Sequence, residues 1–195
     1  MAVVTLYPNA AGDKTNLTPQ GAAANWDCVD EHPHNSDTTR VLLMYTGKYD
    51  KRDLYNIEDT SQTGYIMNVK LVVTSRMSSI YSNAMTALIK THGTEYLGGT
   101  INPTTQSYAE YNYSWSNNPY TGVAWTFAEI NALQIGISDN RGTNGVNLTT
   151  QVRAEITYTP NWQNTKTWNG VNTDNIYSYD AVLSENIGKR NGVTV

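Results

Sequence analysis

The chain has 195 residues, 39% of them hydrophobic, which is enough for one domain with a closed core plus an appendage. Only 15% are charged and the formal net charge is −4, with no block of Lys or Arg, which argues against a nucleic-acid surface. No segment reaches the roughly 18 apolar residues of a membrane-spanning helix, and the single cysteine, Cys28, excludes an internal disulfide and a thiolate metal cluster.

The opening residues lack the basic region and long apolar run of a secretory signal. That predicts a chain made and kept in the cytoplasm, unless it leaves inside a particle. Residues 3–7 read as a first edge strand. Further strands are predicted over residues 39–45, 65–75, 84–91, 108–115, 132–138 and 151–158, each rich in β-branched and aromatic side chains. Turn chemistry separates them at Gly98-Gly99, at Asn117-Asn118-Pro119 and across residues 139–145. One short helix is predicted over residues 126–132, because Thr126 can cap it and Glu129 stands three residues on as a capping-box partner. The 14 Tyr and 5 Trp against a single Phe suit strands with one wet face, where an apolar ring packs and a polar tip reaches water. Residues 1–160 therefore read as an all-β domain, an antiparallel two-sheet β-sandwich with one short helix.

Residues 161–195 form a different region. Val171, Val182 and Val193 recur every eleven residues, and Asn175-Ile176 and Asn186-Ile187 keep the same step. Five Val and Ile side chains are too few to fold alone and gain stability only by stacking on another surface. The segment is expected to be an extended C-terminal arm, with Val171, Ile176, Val182, Ile187 and Val193 as its subunit contacts; the competing expectation is that it docks on its own sandwich.

The densest polar cluster is Asp27, Asp30, Glu31, His32, His34 and Asp37, which has neither EF-hand nor His-x-x-x-His spacing and reads as a solvated loop. No metal or other cofactor is expected. Asp30 or Glu31 with Glu110 or Glu129 would serve as a general acid/base pair only if brought face to face, and no strand carries a run of clustered carboxylates. His92, in Thr91-His92-Gly93, reads as part of a turn, and none of the three histidines lies near a Gly-x-Ser-x-Gly elbow. The expectation is a protein that is not an enzyme. Tyr111, Tyr113, Trp115 and Trp125 are the candidate platform for stacking a sugar ring. The first three share one strand parity, so the competing expectation is that they cover one sheet face by packing.

Two stretches carry a resemblance. "YPNAAGDKTNLTPQGAAANWDCVDE", followed by "DTTRVLL" and "KRDLYNIED", and "NPYTGVAWTFAEINALQIGIS", followed by "VRAEITYTP", resemble a pattern in uncharacterised proteins of tailed-phage and prophage genomes. That pattern implies a concanavalin-like or jelly-roll β-sandwich ending on the "EITY" strand. Arg40 departs from it, standing where the pattern has an aromatic. The closing repeats also resemble Gly-Val…Asn-Ile units at the ends of phage structural proteins. The resemblance implies a structural component of a phage-like virion, an exposed decoration or accessory protein of head or tail. It would assemble with other virion proteins or with itself through sandwich faces and the arm. The alternative is a carbohydrate-binding, lectin-like adhesion module whose partner is a surface glycan. Neither reading involves nucleic acid or membrane.

Overall fold

The structure is a computed structural model that describes residues 1–44, 51–80, 84–139 and 145–161. Its strands are β1 (Ala2–Leu6), β2 (Pro8–Thr15), β3 (Thr18–Gln20), β4 (Arg40–Met44), β5 (Arg52–Ile57), β6 (Gly64–Met77), β7 (Met85–Thr91), β8 (Thr94–Ile101), β9 (Ala109–Trp115), β10 (Gln134–Asp139) and β11 (Val146–Pro160). They form two antiparallel sheets. One runs β3-β4-β11-β6-β9, with β1 also on β11; the other runs β2-β5-β10-β7-β8. All of these strands belong to one compact unit, Met1–Pro160. The expected arm contacts Val171, Ile176, Val182, Ile187 and Val193 lie outside the described residues.

Alternation decides what fills the space between the sheets. Val69, Leu71 and Val73 of β6 and Val152, Ala154 and Ile156 of β11 point inward, where they join Tyr55, Ile57, Ala87, Ile89, Ile135 and Ile137 of the opposite sheet in one buried cluster. Among the described residues no helix is long and apolar enough to cross a membrane. The helix α1 (Phe127–Asn131) forms where the capping signal places it. Glu129 N donates to Thr126 Oγ1 at 3.2 Å, and Thr126 N donates to Glu129 Oε2 at 2.8 Å.

Four strands, β2, β3, β5 and β8, were not among those expected. β2 and β8 are sheet edges, and their Pro, Gly and charged residues read locally as turns. The short β3 is the outermost strand of the other sheet. In β5 an inward position is held by Asp53, which is fully buried. Its carboxylate accepts from Leu17 N at 2.9 Å, Asn25 Nδ2 at 2.6 Å and the Tyr55 hydroxyl at 3.0 Å. This network ties the segment between β2 and β3 to the core, and a buried acid satisfied largely from other segments breaks the alternation that marks a strand.

One irregularity positions the candidate site. β6 follows β11 along nearly its whole length, but the other edge of β11 is divided, with β4 on residues 146–149 and β1 on residues 154–158. The chain after a 3₁₀ turn (Trp26–Cys28) fills the gap. Val152 N donates to Val29 O at 2.9 Å, Gln151 Nε2 donates to Glu31 O, and Thr150 Oγ1 donates to Thr39 O at 3.0 Å.

Candidate functional site

The four aromatic residues named as a candidate platform face the interior. Tyr111, Tyr113 and Trp115 lie on the inner side of β9, and Trp115 and Trp125 are only 8% and 3% exposed. Trp125 Nε1 donates to the Trp115 carbonyl at 3.3 Å, and the Tyr113 and Trp115 rings meet edge to face at 4.7 Å. The Tyr113 ring lies flat against Gly98 and Gly99 of β8, where an added Cβ would stand 2.5 Å from it. One face of the Tyr113 ring is thus taken up by glycine backbone, and Tyr111 and Tyr113 are partly buried against the core. The edge of the sandwich is closed here by aromatic packing over glycine.

The outer face of the same sheet is different. Residues directly opposite in a ladder share a face, so Gln151, Thr74 and Glu110 make one outward row, and Arg153, Val72 and Asn112 the next. A third row is Thr5, Glu155, Lys70 and Ser114. Between this surface and the gap-filling segment lies a shallow pocket of about 330 Å³. Its floor is Gln151, Arg153 and Glu155; its walls are Thr5 and Tyr7 on one side, His32, Pro33 and His34 on another, and Glu110 on a third.

Arg153 organises the floor. Its Nη1 donates to Gln151 Oε1 at 2.6 Å, while Nε and Nη2 donate to Glu155 Oε1 at 3.1 and 3.0 Å. Nη2 also pairs with Glu110 Oε1 at 2.8 Å. Glu155 is shared with Lys70 at 2.5 Å. Burial alone would push the Glu155 carboxyl up, but the hydrogen bonds from Lys70 and Arg153 outweigh it and hold the group below the ordinary carboxylate range. On the wall, the Tyr7 hydroxyl lies 2.7 Å from His32 Nδ1, with the two ring centroids 5.1 Å apart. Burial raises the Tyr7 pKa and the nearby carboxylates add to this against Arg153, so the phenol stays protonated. His34 Nδ1 is buried without a hydrogen-bond partner among the described residues. These fixed groups can accept and donate hydrogen bonds in one small area, beside two partly exposed rings.

The acidic loop is dispersed by the fold. Asp37 accepts at one oxygen from Arg40 at 2.7 Å, Arg76 at 2.9 Å and Tyr108 at 2.8 Å. Its pKa is lowered chiefly by the hydrogen bond from Arg76. Arg40 is thus held by Asp37 and by Gln20 at 2.9 Å. Asp30 is pushed up mainly by burial, with Asp27, Glu31 and Glu58 adding repulsion. Among the described residues no three His, Cys, Asp or Glu side chains converge to hold a metal ion.

His92 does more than turn the chain. It stands at φ 49° in the β7–β8 turn, stacks on Tyr120 at 4.5 Å, and its Nε2 lies 2.8 Å from Glu129 Oε1. The pair borders a mostly apolar hollow of about 240 Å³ with Thr91, Ala128 and Ala132. Burial would raise the Glu129 carboxyl, but His92 and the Thr126 cap hold it low. The contact locks helix α1 to the turn.

Of the residues in the pocket, only His32, His34 and Glu110 were named on sequence grounds, the histidines in the polar loop cluster and Glu110 in an acid/base pair. Tyr7, Gln151, Arg153 and Glu155 were missed. A signal for the last three exists in "QVRAE", where polar residues alternate with apolar ones along a strand, but nothing local says that the outward side borders a pocket.

No known family matches the sequence, and no curated protein does either. Solved structures with a similar arrangement include the CBM36-1 domain of a multidomain xylanase from the hindgut metagenome of Trinervitermes trinervoides, at 10% identity and TM-score 0.42, covering 81% of this chain and 98% of that one. A family 16 carbohydrate-binding module matches at 8% identity and TM-score 0.42, over 73% of this chain and 87% of its own. A family 29 carbohydrate-binding module from Piromyces equi matches at 8% identity and TM-score 0.40, over 79% and 89%. At this distance the similarities carry no argument about ligand.

Proposed function

We propose that the protein is a non-catalytic carbohydrate-binding module, and that the pocket over β11 is its glycan site. The observation that carries this reading is the array around Arg153. Sugar hydroxyls donate and accept at once, and a guanidinium held between two carboxylates and an amide offers both kinds of partner in a rigid frame. The walls add the apolar component, because Tyr7 and His32 present ring surface beside the polar floor. Catalysis fits the site poorly. Glu110 and Glu155 share one guanidinium, and Glu155 is held low rather than kept protonated as a general acid requires.

The test is a glycan array followed by calorimetry. Arg153→Ala should abolish binding that the wild type shows, with an unchanged fold by circular dichroism. Retained affinity in Arg153→Ala would remove the pocket from the function.

A second reading, assembly into a phage-like virion, rests on the quoted motifs and on the eleven-residue repeat of Val171, Val182 and Val193. It is compatible with glycan binding, since an exposed accessory protein can serve adhesion. Deleting residues 161–195 should then lower the protein's occupancy on particles while leaving the sandwich folded. Unchanged occupancy would count against an arm that latches.

A further inference from the structure

The outer face of β11 continues beyond the pocket. Thr157 and Thr159 follow Arg153 and Glu155 on the same side, and Thr159 is paired with Tyr65 of β6 while Thr157 is paired with Val3 of β1. Tyr65 is 64% exposed, Val3 59% and Met67 42%, and the Met67 sulfur lies 3.8 Å from Thr159 Oγ1. Three exposed apolar side chains therefore end the face on which the polar pocket sits. From Thr5 at the pocket wall the face continues through Thr157, neither hydroxyl engaged by another described side chain, and the Asn68–Ser114 pair at 3.3 Å. From Arg153 to Thr159 the strand advances about 20 Å at roughly 3.3 Å per residue, far more than one sugar ring covers.

We infer that pocket and patch are two ends of one binding strip, that Tyr65 is a distal stacking subsite, and that the ligand is an extended, uncharged glycan chain lying along β11. This rests on the reading of the pocket as a carbohydrate site. Three features favour such a ligand over others. The exposed ring of Tyr65 matches the apolar face of a pyranose, as aromatic rings match other flat apolar faces. The free hydroxyls between the ends serve a ligand that offers hydroxyls all along its length. The cations of the strip, Arg153 and Lys70, are already paired with Glu110 and Glu155, so a uronate would find no unspent positive charge while a neutral sugar needs none.

The experiment titrates the full chain with neutral β-1,4-linked gluco-, xylo- and manno-oligosaccharides, from disaccharide to hexasaccharide, by calorimetry. Wild-type affinity should rise with length in at least one series. Tyr65→Ala should keep the disaccharide affinity and lose about tenfold for the hexasaccharide, the scale of one aromatic stacking contact. Tyr65→Phe should behave as wild type, and Arg153→Ala should lose every length. Because Tyr65 is mostly exposed, both of its variants keep the fold. If Tyr65→Ala leaves the length dependence intact, or lowers all lengths equally, the strip is wrong and the pocket reading survives. If the wild type binds no member of any series, both readings fall. Should sedimentation show a wild-type dimer that Tyr65→Ala disperses without altering glycan binding, the patch belongs to a second copy and the inference is overturned.

Discussion

The two sides of β9 were built from one stretch of chain and ended in opposite environments. Tyr111, Tyr113 and Trp115 turn inward over the glycines of β8, while Glu110, Asn112 and Ser114, alternating with them, turn out to the surface that carries the pocket. The aromatic set looks like a ligand platform when read alone, and the polar set looks like plain solvent-facing surface. In the structure the aromatic set packs inward, and Glu110 of the polar set borders the pocket. An aromatic at sheet spacing is defined by what stands across from it, and here two glycines leave room for a flat ring to be covered.

The comparison is broken most severely by emptying the inner side. Trp115→Ala removes a nearly buried indole from the closed edge and should cost about 3–5 kcal/mol in denaturant unfolding, the range for large aromatic truncations. A loss below about 1 kcal/mol would mean that the ring is not part of the packed interior and would restore it as a surface candidate.

A smaller effect, with a definite sign, separates the inner carboxylate from the outer one. Asp53 is raised mainly by burial, so its folded state holds a proton more tightly than the unfolded chain does. The stability this gives is fully present below the ordinary carboxylate pKa and is lost as pH rises through the folded value. Glu155 has the opposite sign. Its lowered pKa contributes stability present above the ordinary carboxylate range, which is lost as pH falls through the folded value. Two variants sharpen this into one measurement, stability against pH from about 3 to 8. The penalty of Asp53→Asn should be greatest at acid pH and shrink as pH rises. The penalty of Glu155→Gln should be smaller throughout, greatest at neutral pH, and vanish towards acid. Parallel slopes for the two variants would show that burial and ion pairing do not divide these carboxylates as described.

The legible part of the fold was the part that obeys alternation. The segments within β6, β7, β9, β10 and β11 announce themselves by β-branched and aromatic runs, and Thr126 with Glu129 marks the helix start to the residue. β5 and β8 failed for reasons that lie elsewhere in the chain. The acid at Asp53 is tolerated because Leu17, Asn25 and Tyr55 satisfy it, and Gly98-Gly99 sits inside a strand because Tyr113 lies over it. The site was less legible than the fold. His32 and His34 were read as part of a solvated loop, yet in the structure they wall a pocket whose floor comes from β11, more than a hundred residues later.

By itself the sequence determined the class of structure, since a repeating apolar-polar alternation can satisfy its backbone and bury its side chains only in layered sheets. It also determined the chemistry available, with uncharged polar residues, many Tyr and few charges. Only the tertiary structure decided which side of each strand met water. It divided the free edge of β11 between β4 and β1 and left a gap for the segment around His32 to fill. The physical reason is that strand parity is local while facing partners are not. Whether Trp115 or Arg153 borders a ligand depends on what the opposing chain brings to within a few ångströms, and no window of sequence contains both partners.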